Sequence, residues 1–330
     1  MWTGYETGVE KSAERYQDPY IYTREGSRTY PGQFGPDIFK DFIINFIREH
    51  KDGPMFIYYP MVLTHTPLVN TPLESAPDNL GKHKAMVRYA DLITGEIVRA
   101  LKDAGILNNT VLIWTTDNGT TRGISGNRNG VLVEGGKAKT SEPGICAPFI
   151  VSWPGKIAPG KVSEALVDFT DIFPTCLDLA GVEPRKEWPV GDKLEPLDGY
   201  SFEEVLLGKA ESTPREWILS MGGGNHARLT QEGVENQYIF RDRVLRNERY
   251  KLYINTRREA DQFFDLRMDP WEENDLMDSL ITPARQQSFE QLLEAVSTFP
   301  QQDNDPRYKP NPRQSWDVPV TGESQVWKLR

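Results

Sequence analysis

Four side chains in this sequence could between them handle a divalent cation and an oxyanion: Asp117, Asn118, Lys137 and His65. Asp117 and Asn118 stand in Thr116-Asp-Asn-Gly119, directly after the apolar run Thr110-Val-Leu-Ile-Trp-Thr115. A carboxylate beside an amide carbonyl offers oxygen donors suited to Ca²⁺ or Mg²⁺. Gly119 lets the backbone turn sharply beneath them. Asp-Asn-Gly is equally a plain turn signal that needs no ligand. Lys137 sits in Gly135-Gly-Lys-Ala-Lys-Thr140. The two glycines admit an oxyanion close to the backbone, and the ammonium neutralises it as a point charge. A solvated loop lysine fits the same pattern. No Walker-type loop is present, since the upstream glycine and the following Ser or Thr are missing. His65, in Thr64-His-Thr-Pro67, could donate to an anion or protonate a leaving oxygen. It could also do no more than bond a loop carbonyl. His50, His83 and His226 read as structural or solvated.

These residues need rigid elements behind them. Met55-Phe-Ile-Tyr-Tyr-Pro-Met-Val-Leu63 is apolar throughout and predicts a strand buried on both faces, as in a parallel sheet. The runs at 110–115 and 148–153 predict two more strands. Phe39, Phe42, Ile43, Phe46 and Ile47 recur at helical spacing over 37–50. Met86, Tyr89, Ala90, Ile93, Ile97, Val98 and Leu101 do so over 82–104, with Gly105 as the stop. Strand, helix, strand predicts a parallel pair with a right-handed crossover. In such sheets ligands bind beyond the carboxyl ends of the strands. His65, Asp117 and Asn118 would then share one sheet edge. A further helix is expected over 167–180, with Pro174 as a kink or an early position.

After a Pro- and Gly-rich connection at 183–215 the pattern changes. Short strand candidates at 217–220, 237–240, 241–245, 250–254 and 262–265 predict an antiparallel sheet, followed by a helix over 283–299. Residues 1–35 read as a surface loop. The expected class is α/β, a mostly parallel sheet flanked by helices, with a smaller α+β part carrying an antiparallel sheet. The expected domains are 1–210 and 211–330.

The net charge of −10 with no long basic block argues against nucleic acid as the main partner. With 38% hydrophobic and 26% charged residues, the composition is that of a globular protein. Cys146 and Cys176 make neither a disulfide framework nor a zinc pattern. No stretch is long and apolar enough to span a bilayer. The opening residues have no signal-peptide pattern.

In order along the chain, six stretches resemble the sulfatase family of the alkaline phosphatase superfamily. They are Phe56-Ile-Tyr-Tyr-Pro-Met-Val-Leu-Thr-His-Thr-Pro67, Val111-Leu-Ile-Trp-Thr-Thr-Asp-Asn-Gly119 and Gly135-Gly-Lys-Ala-Lys-Thr-Ser-Glu-Pro-Gly144. The others are Ala147-Pro-Phe-Ile-Val-Ser-Trp-Pro-Gly155, Asp171-Ile-Phe-Pro-Thr-Cys-Leu-Asp-Leu-Ala-Gly181 and Phe263-Phe-Asp-Leu-Arg-Met-Asp-Pro-Trp-Glu272. The resemblance implies an alkaline-phosphatase-like fold and a sulfuric ester hydrolase of arylsulfatase type. It implies Asp117 and Asn118 as two of four protein ligands of Ca²⁺ or Mg²⁺. It implies Lys137 and His65 as catalytic and substrate-binding groups on a sulfated small molecule or carbohydrate, in a periplasmic or secreted parent.

The departures shape the expectation for this chain. The family's Cys- or Ser-x-Pro-x-Arg motif, source of the formylglycine nucleophile, is absent, as are the two early metal-binding aspartates. Cys146-Ala-Pro148 has the Cys-x-Pro spacing, but Ile150 stands where Arg is needed. The chain therefore resembles the C-terminal two-thirds of a sulfatase. It is expected to hold half of the site, to bind metal weakly and to be inactive alone. Two other readings are a phosphonate or phosphodiester hydrolase of the same superfamily, and a non-catalytic binding remnant.

Overall fold

The computed structural model describes residues 15–23, 26–128, 130–182, 198–222, 228–230, 233–235, 243–279 and 282–299. The strand expected at 237–240, His226 and most of the 183–215 connection lie outside the described residues. The chain divides into two units. Among the described residues, the first holds those up to Thr110 and 228–235, the second 111–222 and 243–299.

The first unit is built on two helices, α1 (Gly35–His50) and α2 (Asn79–Asp103). Pro36 fits the first turn of α1, where an N–H has no helical partner anyway. The Asp78 side chain accepts from the Gly81 N–H and caps α2. Gly105 ends α2 at φ +76°, with its N–H on the Lys102 carbonyl, as the sequence predicts. The apolar stripes meet: Ile43 and Ile47 of α1 pack with Leu101 of α2. Met86, Tyr89 and Ile93 pack with Tyr16, Phe34 and Val62.

The run 55–63 departs from expectation. Among the described residues it joins no strand ladder. Tyr59, Met61 and Leu63 pack on the core, whereas Phe56 and Tyr58 stand 77% and 80% exposed. The second half of the segment, with Val62 6% exposed, is covered by the core, and the first half is largely exposed. An apolar run encodes a tendency to be buried, but it cannot name the backbone that would cover it.

In the second unit, strand Leu112–Thr115 pairs antiparallel with Phe149–Ser152, Leu112 opposite Ser152 and Thr115 opposite Phe149. Every ladder among the described residues is antiparallel. The parallel pair and crossover are therefore corrected here. With 55–63 unpaired there is no strand–helix–strand unit, and the 116–148 excursion simply returns the chain alongside itself. That excursion contains the hairpin Ser125–Arg128 and Val131–Glu134. The helix expected at 167–180 is a 3₁₀ turn, Phe169–Asp171, running into helix Ile172–Leu179. Pro174 lies in its first turn and needs no kink. Asp171, fully buried, accepts from Asp168 N–H, Tyr200 N–H and the Arg215 guanidinium.

The antiparallel sheet expected near the carboxyl end is present. Its strands Ala260–Asp265, Tyr250–Ile254, Arg243–Arg246 and Ile218–Met221 lie in that order. Helix Pro283–Ser297 lays Leu292, Ala295 and Val296 on Leu252, Ile254 and Phe263. Alternation along the strands puts these apolar residues on one face.

Asp265 is buried, and hydrogen bonds from Arg249 hold its carboxyl below the usual range. A group depressed in the folded state stabilises above its unfolded pKa, about 3.9 for Asp, and loses that contribution as pH falls through the folded value. The stability gap between the wild type and Asp265→Asn should therefore close as unfolding is followed from about pH 5 to below about 3. A gap independent of pH would show that the ion pair contributes nothing.

Candidate functional site

The site is organised by backbone packed directly on backbone, at positions where only glycine fits. The Gly119 N–H donates to the Gly144 carbonyl at 2.8 Å. A Cβ on Gly119 would lie 1.9 Å from the Pro143 carbonyl oxygen. A Cβ on Gly136 would lie 2.6 Å from the Gly144 nitrogen and 2.7 Å from the Pro143 carbonyl carbon. Gly119 and Gly136 thus abut the same two residues, Pro143 and Gly144. The Lys137 N–H closes the third side on the Thr120 carbonyl at 3.0 Å, and Arg122 Nε donates to the Lys137 carbonyl at 3.0 Å. Asp117, Asn118 and Lys137 therefore start from one junction of three interlocked segments. The Asp117 carboxylate is exposed and, among the described residues, takes no hydrogen bond or ion pair. Nor does the half-buried Lys137 ammonium.

A buried polar clasp holds the third segment. Glu142 opens a short helical turn, Glu142–Ile145, and its N–H donates to Glu272 Oε1 at 2.6 Å. Its own carboxylate takes Arg246 Nη1 at 2.8 Å and Lys251 Nζ at 3.3 Å. Lys251, 0% exposed, also reaches Glu272 Oε1 at 3.1 Å, and the Tyr253 hydroxyl donates to Glu272 Oε2. Burial first, then Glu272, drives the Tyr253 pKa well above its ordinary value, so the phenol keeps its proton as donor. Two carboxylates against two cations leave no net charge to solvate. Sequence reasoning missed Glu142, Lys251 and Glu272. The available signal was a lysine inside an apolar strand, which reads by alternation as the solvent face. Here that face is covered by the 135–144 loop.

Cys146 stands in Cys146-Ala-Pro148, with Ile150 where the family motif has Arg. Although Cys146 is exposed, local desolvation and the neighbouring Glu142 push its thiol pKa up, which disfavours the thiolate. Among the described residues no group of three or more His, Cys, Asp or Glu side chains could hold a metal ion. Asp117 and Asn118 are suitable oxygen donors, but two ligands leave most of a Ca²⁺ shell to other sources.

His65 belongs to the first unit. The Tyr16 hydroxyl, 0% exposed, reaches the carbonyls of Val62 at 2.8 Å and His65 at 2.5 Å and pins the turn that carries it. Burial pushes the Tyr16 pKa up to about 12. His65 Nδ1 lies 2.9 Å from Arg15 Nη1 and 2.7 Å from the Thr66 carbonyl. Of the other histidines, His50 ends α1 and stacks on Phe46, and burial lowers the pKa of His83 inside α2.

Compared with known proteins, the sequence matches the family model described as Sulfatase over residues 1–182. It matches the model described as N-sulphoglucosamine sulphohydrolase, C-terminal, over 137–298. It is 30% identical to an N-acetylgalactosamine-6-O-sulfatase of Bacteroides thetaiotaomicron over 79% of this chain and 51% of that protein. It is 28% identical to arylsulfatase A of Bos taurus over 76% of this chain and 51% of that protein. The chain spans about half the length of these curated relatives. Among solved structures it is similar to one in complex with its substrate D-glucosamine-2-N,6-O-disulfate. That match has a TM-score of 0.64 at 18% identity and covers 86% of this chain and 73% of the other. It is also similar to the PsFucS1 sulfatase from Pseudoalteromonas sp., with a TM-score of 0.57 at 25% identity over 81% of this chain and 54% of the other. These neighbours share its α/β fold.

Proposed function

This chain belongs to the sulfatase family, and from that premise we propose that it builds part of a site that hydrolyses a sulfate ester. The observation that carries the reading is the junction on Pro143 and Gly144, which roots Asp117, Asn118 and Lys137 on backbone that cannot drift apart. Lys137 neutralises a sulfate oxygen. His65, in the first unit, is read as a sulfate-binding group in its own right, donating to the oxygen of the leaving alcohol as the S–O bond breaks and charge grows there. Asp117 and Asn118 are two ligands of a Ca²⁺ or Mg²⁺. Once bound, the ion acts as a Lewis acid on the sulfate. The substrate is a sulfated small molecule or carbohydrate. The names of the similar N-acetylgalactosamine-6-O-sulfatase and of the disulfated glucosamine complex favour an amino sugar.

This chain holds half of that site. No Cys- or Ser-x-Pro-x-Arg occurs in it, so no formylglycine arises from its own residues. The purified chain should show no turnover of an aryl sulfate. Calorimetric titration should find Ca²⁺ binding weaker than about 10⁻⁴ M, since two protein ligands stand against the roughly six to eight oxygens the ion takes. Asp117→Ala should abolish it. Equal heats from the two proteins would overturn the metal assignment and favour a non-catalytic remnant. Turnover without any partner would overturn the half-site.

A further inference from the structure

Arg15 and Tyr16 are neighbours that grip the His65 turn in two ways. Tyr16 is sealed in the core of the first unit, stacked on Phe34, with its hydroxyl on the Val62 and His65 carbonyls. That fixes the root of Arg15, whose Nη1 lies 2.9 Å from His65 Nδ1. A guanidinium has donors and no acceptor, and it is charged at any accessible pH. The contact is therefore a hydrogen bond only if Nδ1 is bare. The Thr66 carbonyl, 2.7 Å from the same nitrogen, can only accept and asks for a proton on Nδ1. One nitrogen cannot satisfy both. The charged donor makes roughly twice as strong a bond as a neutral one, so Arg15 decides. The imidazole proton then sits on Nε2; His65 is exposed, and among the described residues its hydrogen bonds all fall on Nδ1.

We propose that Arg15 is a positioning residue that holds His65 in its Nε2–H tautomer, so that the ring presents a hydrogen-bond donor to the substrate anion. The proposal rests on the reading of His65 as an anion-binding group. Without Arg15, the proton moves to Nδ1 and bonds Thr66, and the outward nitrogen becomes an acceptor that repels a sulfate oxygen. Lysine also offers donors only, so Arg15→Lys should preserve the tautomer where Arg15→Met cannot.

The test is ¹⁵N–¹H correlation of the histidine rings in the full chain, at alkaline pH where imidazole is neutral. A His65→Gln variant identifies its signal among the four histidines. The wild type and Arg15→Lys should carry the proton on Nε2, and Arg15→Met should lose that signature for Nδ1–H. A wild type protonated on Nδ1, or an Arg15→Met spectrum unchanged from the wild type, overturns the proposal. Titration with inorganic sulfate tests the underlying reading separately. It should shift the Nε2 signal of the wild type and not that of Arg15→Met. The expected tautomers with no response to sulfate would overturn the anion-binding role of His65 and with it the purpose assigned to Arg15.

Discussion

Lys251→Met should cost the second unit about 3–5 kcal/mol, the range seen when one partner of a buried ion pair is removed. The ammonium is fully buried and bridges Glu142 and Glu272. Methionine fills similar space but leaves two carboxylates facing each other, with Arg246 and the Tyr253 hydroxyl as remaining partners. The loss comes from the uncompensated charge rather than from missing volume. Adding Glu272→Gln to Lys251→Met should therefore recover part of it, and a double-mutant cycle in urea would report coupling of the two sites. A single-variant loss below about 1 kcal/mol would mean that water enters the clasp and solvates it. The consequence reaches the site, because Glu142 is two residues from Gly144, on which Gly119 rests. Weakening of Ca²⁺ binding alongside the lost stability would show that the clasp holds the Asp117 loop in place.

Gly119→Ala should be the most damaging single methyl group in the candidate site. Its Cβ would lie 1.9 Å from the Pro143 carbonyl oxygen, 2.8 Å from the carbonyl carbon and 3.1 Å from Gly144 Cα. All three are backbone atoms, so no side chain can rotate away. The segments must separate, breaking the 2.8 Å hydrogen bond from Gly119 to Gly144. Overpacking of this kind costs about 1–3 kcal/mol and sometimes more, and the upper end is expected here. Gly126→Ala is the control. It lies on the exposed hairpin strand Ser125–Arg128 with nothing within 4 Å of an added Cβ. It should stay within about 0.5 kcal/mol of the wild type. Thermal unfolding of the pair checks this. Equal melting temperatures would mean that the junction is looser than its geometry implies.

The first six residues of the Asp117 stretch illustrate how much was readable beforehand. Thr110-Val-Leu-Ile-Trp-Thr115 announces a strand, and Leu112–Thr115 is one. The glycine after Asn118 announces a sharp turn; the chain bends at 117–118, but Gly119 itself is required by its close contact with Pro143 and not by a left-handed backbone. The direction of pairing is not legible in the sequence, because parallel and antiparallel neighbours demand the same apolar side chains. Only the path of the connection separates them. Lys251 is not legible in the sequence for a related reason. Alternation reports which residues share a face, as Tyr250, Leu252 and Ile254 do, but it cannot say whether the opposite face meets water or another loop.

Local chemistry, carried by residues within a few positions of one another, determined the two long helices with their caps and stops, the run of antiparallel strands near the carboxyl end, and the identity of the oxygen and nitrogen groups available for an anion and a cation. Tertiary structure alone decided which of those groups acquired neighbours. Arg15 reached the ring of His65 across fifty residues of chain, Glu142 reached Lys251 across more than a hundred, and Gly136 came to rest on the same carbonyl as Gly119. The reason is physical: a contact between distant residues is set by the packing of whole elements, and no short window of sequence contains both sides of it.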